Sequence, residues 1–283
     1  MCCIEGRKNT PTIYSEALKA LYGTVDASKL FFDDLTSFLV KDLGFTANPF
    51  DACVVNKIIE GKQCTITWHV DDIKISHKNA NVVTSIIESL SAKYGTTVPL
   101  SISRGKVHEY LGMTFDFTKK GEVSITMYDQ VDDIIESAPT IYKTGVGSAT
   151  ASPTNLYTVR MPCEGNELLS DDDREEYHTL TARCLYVSKR GRPDLQTSIA
   201  FHCIRVRNPT QDDQKKLART IRYMMATRFL ALILSVDEHG IIHWWIDESF
   251  AVYDDMKSRT GLCMSLGKGT VYAASTKQKL WPA

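Results

Sequence analysis

The 283-residue sequence lacks the features that mark membrane, secreted and zinc-finger proteins. Its longest apolar stretch, residues 229–234, is far too short to cross a bilayer, and residues 1–10 contain no apolar signal segment. The eight cysteines form no C-x-x-C pair and no Cys/His spacing that would suit zinc. We therefore expect an intracellular protein, cytoplasmic or nuclear, with free thiols and no membrane contact.

Excess charge, low complexity and internal repeats are missing as well. The net charge is -1, with 43% hydrophobic and 24% charged residues, which is ordinary for folded domains. The exception is local, because residues 183–228 hold eleven basic residues against three acidic ones; this segment carries +8 and the rest of the chain -9. Such a segment is either a phosphate-binding surface or a solvated helix face.

Hydrophobic periodicity and turn residues predict an α+β fold for this chain. A helix that ends near Gly44 is followed by β-like runs at 54–59, 65–70 and 73–76, a helix at 80–94, and strands at 107–117 and 122–128. Helices are predicted again at 173–189, 193–205 and 210–227, and strands at 230–236, 241–247, 261–266 and 270–274. Because helices come between hairpins, we expect antiparallel sheets with packed helices and not a doubly wound sheet.

One acidic pair differs from the others in its position. Adjacent acids are frequent in this chain, but only Asp71 and Asp72 lie between two apolar β runs. Two carboxylates at a strand connection repel each other unless a cation joins them, and hard divalent ions are held in this way for phosphoryl transfer. The alternative is an exposed acidic hairpin tip without a function.

Several segments, in order along the chain, resemble the Pol polyprotein of copia-type LTR retrotransposons. HVDD at 69–72 is similar to the Y-V-D-D box of their reverse transcriptase, KALYG at 19–23 to their K-A-L-Y-G segment, and YLG at 110–112 to their element at the primer end. LYVS at 185–188 with RPD at 192–194 resembles their connecting region. WWIDESFA at 244–251 with SRTG at 258–261 resembles the opening of their ribonuclease H domain.

The resemblance implies four regions in this chain. They are a reverse transcriptase palm-like antiparallel sheet at 1–138, a linker at 139–172, a helical thumb/connection at 173–228 and an incomplete ribonuclease H-like sheet at 229–283. The linker also follows from the many turn-forming residues there. The resemblance further implies that the fingers and the first catalytic strand are missing, so that the polymerase is truncated at both ends.

The resemblance also assigns roles to residues. Asp71 would bind catalytic Mg²⁺ or Mn²⁺ directly, with Asp72 as its less critical neighbour, in a two-metal transfer of nucleotides from dNTPs. The residues expected near the nucleotide or the primer are Tyr22, Gly23, His69, Tyr110, Leu111 and Gly112. The ring of His69 would lie next to the nucleotide or the primer terminus, or it would only pack against the hairpin. The residues expected to follow the phosphates of an RNA/DNA template–primer duplex are Lys189, Arg190, Arg192, Arg205, Arg207, Lys215 and Lys216.

Departures from the family pattern affect both ends of the chain. The third catalytic aspartate of the polymerase is absent, and Asp26 would bring negative charge toward a triphosphate unless the register is shifted. Asp247 resembles the first metal ligand of ribonuclease H, but Glu248 points to the opposite sheet face and cannot supply the missing glutamate. We therefore expect the isolated chain to be inactive as a polymerase. The alternatives are a non-catalytic nucleic-acid-binding remnant that uses residues 183–228, or a genomic relic without a stable fold.

Overall fold

The computed structural model describes residues 3–7, 10–14, 24–237, 241–253 and 256–279. The chain divides into two compact units, Met1–Ile102 and Ser103–Ala283, called here the first and the second unit. The KALYG segment lies outside the described residues, and with it the predicted site residues Tyr22 and Gly23. Within the described part of the chain, every helix is too short or too polar to cross a membrane.

The first unit combines two small sheets with two helices. Its elements are β1 (Cys3–Arg7), β2 (Thr10–Tyr14), α1 (Val25–Ser37) with a π-helical turn (Phe38–Asp42), β3 (Thr46–Ala47), β4 (Val54–Ile59), β5 (Lys62–His69), β6 (Asp72–Ser76) and α2 (Ala80–Tyr94). Strands β1 and β2 form a hairpin, and the other four lie in the order β3-β4-β5-β6, all antiparallel. The edge of this second sheet at β6 pairs with no described strand.

Alternating burial and helix capping explain the core of the first unit. Along β5 the side chains of Cys64, Ile66 and Trp68 point inward, which is the period-2 pattern of a strand with one buried face. Helix α2 begins where the side chain of Asn79 accepts a hydrogen bond from the backbone of Asn81. Its buried residues Val82, Ile86 and Leu90 repeat every four positions and join the same hydrophobic cluster as β5.

The second unit contains two further sheets and a group of helices. Its elements are β7 (Val107–Tyr110), β8 (Met113–Asp116), β9 (Glu122–Thr126), α3 (Tyr128–Ser137), α4 (Thr140–Lys143), α5 (Asp171–Ser188), a 3-10 turn (Pro193–Leu195), α6 (Gln196–Arg205), α7 (Gln211–Ala226), β10 (Leu232–Val236), β11 (His243–Ser249), β12 (Arg259–Ser265), β13 (Gly267–Lys268) and β14 (Tyr272–Lys277). The strand orders are β13-β10-β9-β8-β7 and β11-β12-β14, again antiparallel throughout.

The core of the second unit lies among α3, α5, α6 and α7. The largest hydrophobic cluster contains Leu180, Ile199, Leu217 and Ile221, all fully buried. Helix α7 begins with a capping box, in which Thr210 and Asp213 bond each other's backbone N–H groups. The predicted helix start at Thr210 is therefore confirmed.

The mixed composition and the antiparallel pairing confirm the α+β class. Most predicted elements are present, but helix α3 overlaps the predicted strand 122–128 at Tyr128 and otherwise occupies residues 129–137, for which the sequence predicts no element. The linker region 139–172 also contributes buried side chains, including Tyr142, Ala151 and Leu156. The division into palm, linker, thumb/connection and ribonuclease H-like regions stays a prediction.

Candidate functional site

The acidic pair lies on a two-residue hairpin turn of the first unit. His69, the last residue of β5, pairs with Asp72, the first residue of β6, so Val70 and Asp71 form the turn between them. The sequence placed this connection one residue later, at Asp71 and Asp72. Because cross-strand pairing already begins at Asp72, the two carboxylates occupy the tip and the first paired position.

The backbone of this turn is in an unusual conformation. Val70 has a φ of 56°, in the left-handed region where β-branched residues are rare. Holding such a residue there costs roughly 1–3 kcal/mol, and such outliers cluster at functional sites. Nothing in the sequence signals this feature, because turns of this kind usually contain glycine or asparagine.

The side chains of the turn face solvent. His69, Val70, Asp71 and Asp72 are all exposed, and neither aspartate forms an ion pair with a described residue. Exposed carboxylate oxygens suit hard divalent cations, which complete their coordination with water. Among the described residues, however, no group of three or more His, Cys, Asp or Glu side chains is placed to hold a metal ion. The structure therefore provides two neighbouring donors and not a complete metal site.

The predicted primer-end element is a second tight turn, in the second unit. Tyr110 pairs with Met113, and the intervening Leu111 and Gly112 have φ angles of 51° and 66°, the signs of a type I′ turn. The hydroxyl of Tyr186, in α5, donates to the carbonyl of Leu111 at 2.9 Å. This hydrogen bond connects two segments that the sequence related only by resemblance, YLG and LYVS.

Gly112 also contributes by its lack of a side chain. A Cβ at this position would lie 3.0 Å from Nε2 of Gln130 and 3.2 Å from the hydroxyl of Tyr186. Gln130 belongs to helix α3, which the sequence pattern does not predict, so the proximity of Gln130 to this turn is known only from the structure. Glycine permits both the left-handed backbone and the close approach of these two side chains.

Arg190 extends this arrangement toward the surface. Its guanidinium lies 3.8 Å from the ring centroid of Tyr186 in a cation–π contact, and its Nη1 donates to the carbonyl of Tyr186 at 3.3 Å. The structure thus brings Leu111, Tyr186 and Arg190 together in one connected set. Arg190 is half-buried, and the neighbouring Lys189 is exposed.

Three of the basic residues predicted to contact nucleic acid have charged or polar partners within the protein. Arg192 is only 2% exposed; it donates three hydrogen bonds to the carboxylate of Asp194, at 2.8, 2.9 and 3.2 Å, and also donates to Thr227. Arg205 contacts the buried carboxylate of Asp213 at 3.0 Å. These residues satisfy groups inside the protein, so their positive charge is compensated locally.

Lys216 is the third of these residues. It is 4% exposed, donates to the carbonyl of Thr158 at 2.6 Å and pairs with Asp212 at 2.9 Å. The ammonium group of Lys216 is therefore buried and paired, and it does not contribute to the exposed positive charge of α7. The predicted members that reach solvent and form no ion pair with a described residue are Lys189, Arg207 and Lys215, together with the half-buried Arg190.

The predicted ribonuclease H residues lie on strand β11. Asp247 is exposed, and its Oδ1 accepts the backbone N–H of Glu248 at 2.9 Å. Glu248 accepts a hydrogen bond from Gln278 at 3.0 Å, and Gln278 also donates to Thr260. Asp247 belongs to no metal-binding group among the described residues.

Asp26, the other departure from the family pattern, has a local explanation. It lies exposed in the first turn of α1, whose N-cap is Thr24. A carboxylate at a helix N-terminus interacts favourably with the helix dipole, typically by 0.3–1 kcal/mol. This position accounts for Asp26 without any reference to a nucleotide.

Comparison with known proteins gives transposon Pol proteins at low identity. No family model matches the chain. A putative transposon Ty5-1 protein of Saccharomyces cerevisiae is 19% identical over 278 residues, which cover 96% of this chain and 84% of that protein. The retrovirus-related Pol polyprotein from transposon RE1 of Arabidopsis thaliana is 23% identical over 276 residues. An uncharacterized mitochondrial protein of Arabidopsis thaliana is 22% identical over 214 residues, 74% of this chain and 82% of that protein.

These relatives confirm the resemblance to transposon Pol polyproteins of the copia type that the motifs predicted. The match with the RE1 polyprotein covers 96% of this chain but only 18% of the polyprotein. The chain therefore corresponds in extent to a limited segment of such a polyprotein.

Proposed function

We propose that this chain is a reverse transcriptase segment of a retrotransposon Pol polyprotein, and that Asp71 and Asp72 are carboxylates of its nucleotide-transfer site. The observation that carries the proposal is the exposed acidic turn between β5 and β6, with its left-handed Val70. Two exposed carboxylates of this kind fit a hard divalent cation such as Mg²⁺ or Mn²⁺. When bound, such an ion would neutralise developing charge on the transferred phosphate.

The open edge of β6 supports a polymerase site to which a further strand contributes a residue. Asp72 opens this strand, and the edge pairs with no described strand. A strand added here would bring its side chains beside the acidic turn, and a carboxylate on it would complete a three-acid site. With two acids alone, cation binding is weak and the attacking hydroxyl is poorly positioned, so we propose that these 283 residues by themselves do not polymerise DNA.

Primer extension and metal binding test the two parts of this proposal separately. On a homopolymer template with Mg²⁺ or Mn²⁺, we expect no incorporation of dNTPs. Incorporation that Asp71→Asn abolishes would show that the chain is active and overturn the proposed inactivity. Incorporation of dNTPs that is unchanged in the Asp71→Asn variant would also contradict the proposed role of Asp71 in nucleotide transfer.

The metal role has its own measurement. We expect weak Mn²⁺ binding, followed by water proton relaxation, to decrease in the double variant Asp71→Asn/Asp72→Asn. The matched control is Asp171→Asn/Asp172→Asn, which removes another exposed, adjacent acidic pair from the first turn of α5. Equal losses in both variants would mean that Mn²⁺ responds to charge in general and not to the β5–β6 turn.

A second candidate function is duplex binding without catalysis, and the connected set Leu111–Tyr186–Arg190 favours it. This set places an arginine next to the predicted primer-end turn, with Lys189 beside it. Positive side chains that neutralise phosphates give affinity that falls with salt, by about 0.9 in log K per contact for each tenfold increase in salt concentration.

A salt titration of duplex binding tests this second function. The triple variant Lys189→Gln/Arg207→Gln/Lys215→Gln should lower the slope of log K against log salt by up to about 2.7. The control Lys41→Gln/Lys62→Gln/Lys78→Gln removes the same charge from exposed positions of the first unit and should change the slope less. Affinity that ignores salt would refute phosphate binding.

A further inference from the structure

A groove runs along helix α7 of the second unit and is called here the α7 groove. Its volume is about 610 Å³, which lies within the range of roughly 300–1,000 Å³ that small-molecule sites occupy. The helix lines it with Gln211, Lys215, Ala218 and Arg222, which repeat every three or four residues and therefore share one helix face. At 1.5 Å per residue, this face extends for roughly 16 Å between Gln211 and Arg222.

Two segments form the walls of the α7 groove, and hydrogen bonds hold both of them at α7. One wall is the segment 168–170, where the backbone N–H of Leu169 donates to the carbonyl of Pro209 at 3.0 Å. The other wall is helix α4 with Thr144 after it, and the carbonyl of Thr144 accepts a hydrogen bond from Arg222 at 3.1 Å. The groove is therefore shaped by the fold of this unit and needs no occupant to form it.

Apolar side chains line both walls and the base of the α7 groove. Ile141 of α4 is 57% exposed, and Leu168 of the other wall is 51% exposed. Leu169 and Ala218 lie deeper and belong to the main hydrophobic cluster of the unit or pack against it. Because covering these side chains removes apolar surface from water, the groove favours an occupant with an apolar body.

Arg222 holds a positive charge in a fixed position at one end of the α7 groove. Its Nε and Nη1 donate to the carbonyls of Val146 and Thr144, both at 3.1 Å. These carbonyls orient the guanidinium but carry no charge to cancel its own, and Arg222 forms no ion pair with a described residue. Its Nη2 is left to donate to an occupant. Exposed Lys215 lies on the same helix face, two turns earlier.

Two acids lie near the α7 groove, and each is bonded within its own segment. Asp173, at the start of α5, accepts the hydroxyl of Ser170 at 2.6 Å. Glu167 accepts the backbone N–H of the second residue before it at 2.9 Å and lies near Lys215. Since Glu167 offsets part of the charge of Lys215, we expect an anionic group of the occupant at Arg222.

We propose that the α7 groove binds an aliphatic carboxylate, with the carboxylate at Arg222 and the chain between Ile141 and Leu168. The guanidinium matches a carboxylate in charge and in hydrogen-bonding geometry, and the apolar walls accept a chain that has no polar groups. This binding requires no metal ion, no nucleic acid and no part of the acidic turn. It is thus separate from nucleotide transfer and from duplex binding.

An NMR titration of the full chain with octanoate tests this proposal, because it measures the Kd and locates the binding site. We expect octanoate to shift the amide signals of residues 211–222. The uncharged 1-octanol and the short carboxylate acetate should each bind at least ~10-fold more weakly, since each lacks one of the two interactions. Shifts that avoid these residues, or equal affinity for octanoate and 1-octanol, would overturn the proposal.

The charge at Arg222 is tested by substitution. Arg222→Gln keeps a polar side chain and removes the charge, so we expect the Kd for octanoate to rise about 10-fold. The matched control Arg207→Gln removes an exposed arginine that does not line the groove and should leave the Kd unchanged. An equal effect of both variants would mean that octanoate responds to the charge of the chain in general, which contradicts the proposal.

The apolar wall provides a test that does not depend on Arg222. Ile141→Ser changes an exposed side chain, so the chain should still fold, and the Kd for octanoate should rise about 5-fold because the aliphatic chain loses a contact. The matched control Ile58→Ser changes a side chain of the first unit that is 67% exposed and should leave the Kd unchanged. An unchanged Kd for Ile141→Ser would overturn the proposal.

Two further measurements distinguish other occupants and other failures. If the α7 groove instead joins two copies of the chain, Ile141→Ser will change the mass in sedimentation and octanoate will not shift residues 211–222, which contradicts the proposal. Arg222→Gln should not change the salt dependence of duplex binding, and Asp71→Asn should not change the Kd for octanoate. The failure of either proposed function therefore leaves this proposal standing, and its own failure leaves both of them standing.

Discussion

The buried imidazole of His202 makes the second unit sensitive to mild acid. The ring is fully buried; its Nδ1 lies 2.7 Å from the hydroxyl of Tyr177, and its Nε2 has no hydrogen-bond partner among the described residues. Burial, and then the charge of Lys216, lowers the pKa of His202 from 6.5 to about 3. The unfolded chain binds a proton that the folded chain excludes, so the contribution to stability is complete above pH 6.5 and is lost as the pH falls toward 3.

The size of this effect follows from the two pKa values. One pKa unit corresponds to about 1.4 kcal/mol, so protonation of the unfolded state at pH 5 lowers the free energy of unfolding by about 2 kcal/mol relative to pH 7.5. Urea unfolding followed by circular dichroism at both pH values measures it. The His202→Gln substitution should reduce the difference in the free energy of unfolding between pH 7.5 and pH 5 by about 2 kcal/mol.

A matched control and an independent titration decide the outcome. His178→Gln changes an exposed histidine of α5 and should keep the wild-type difference. An NMR titration of the folded wild-type chain should find the His202 imidazole neutral at pH 5. A His202 ring that protonates near pH 6.5 in the folded chain would refute the reasoning. So would a His202→Gln variant whose free energy of unfolding changes between pH 7.5 and pH 5 as much as that of the wild type.

Three substitutions test contacts around the predicted primer-end turn and connection. Arg192→Met leaves the carboxylate of Asp194 without its buried partner and should lower the free energy of unfolding by about 3 kcal/mol in urea titration, whereas Lys189→Gln should leave it unchanged. Gly191→Ala places a Cβ 2.8 Å from Met127 Cγ and should lower the melting temperature, and Met127→Ala should partly restore it. Tyr186→Phe removes the hydrogen bond to the carbonyl of Leu111 and should cost about 1 kcal/mol without loss of the cation–π contact with Arg190.

Elements with a strong local signal could be predicted from the sequence. The alternating run before the acidic pair is strand β5, and the helix expected at 80–94 is α2 with the same bounds. Helix α3 was missed although Val131 and Ile134 have helical spacing and are both buried. The strand pattern of β9, immediately before α3, predicts a strand that ends at residue 128, two residues later than in the structure. The turn-forming residues after α3 predict a linker.

Local sequence offers Arg192 and Lys216 a nearby acid each, Asp194 and Asp212, but it does not show that both basic side chains are buried. The partners of Arg192 and Lys216 include Thr227 and Thr158, which are 35 and 58 residues away along the chain. A count of charges along the sequence does not distinguish these side chains from the exposed Lys215. Only the tertiary fold determines which basic side chain donates to a buried oxygen and which is solvated. The left-handed Val70 was hidden for a similar reason, since a β-branched residue gives no signal for such a turn.

The proposed duplex binding and the proposed catalysis differ in what they require from the two units. In the second unit, the hydrogen bond from Tyr186 to Leu111 and the contact of Arg190 with Tyr186 are internal to the described residues, so the proposed duplex binding requires no group from elsewhere. In the first unit, the acidic turn lies beside a strand edge that pairs with no described strand, and it supplies two carboxylates, so the proposed chemistry depends on a further group. On the proposed function, adding a strand that carries a carboxylate should therefore restore metal binding at Asp71 and leave the salt dependence of duplex binding unchanged. A change in both would mean that the two activities share one surface.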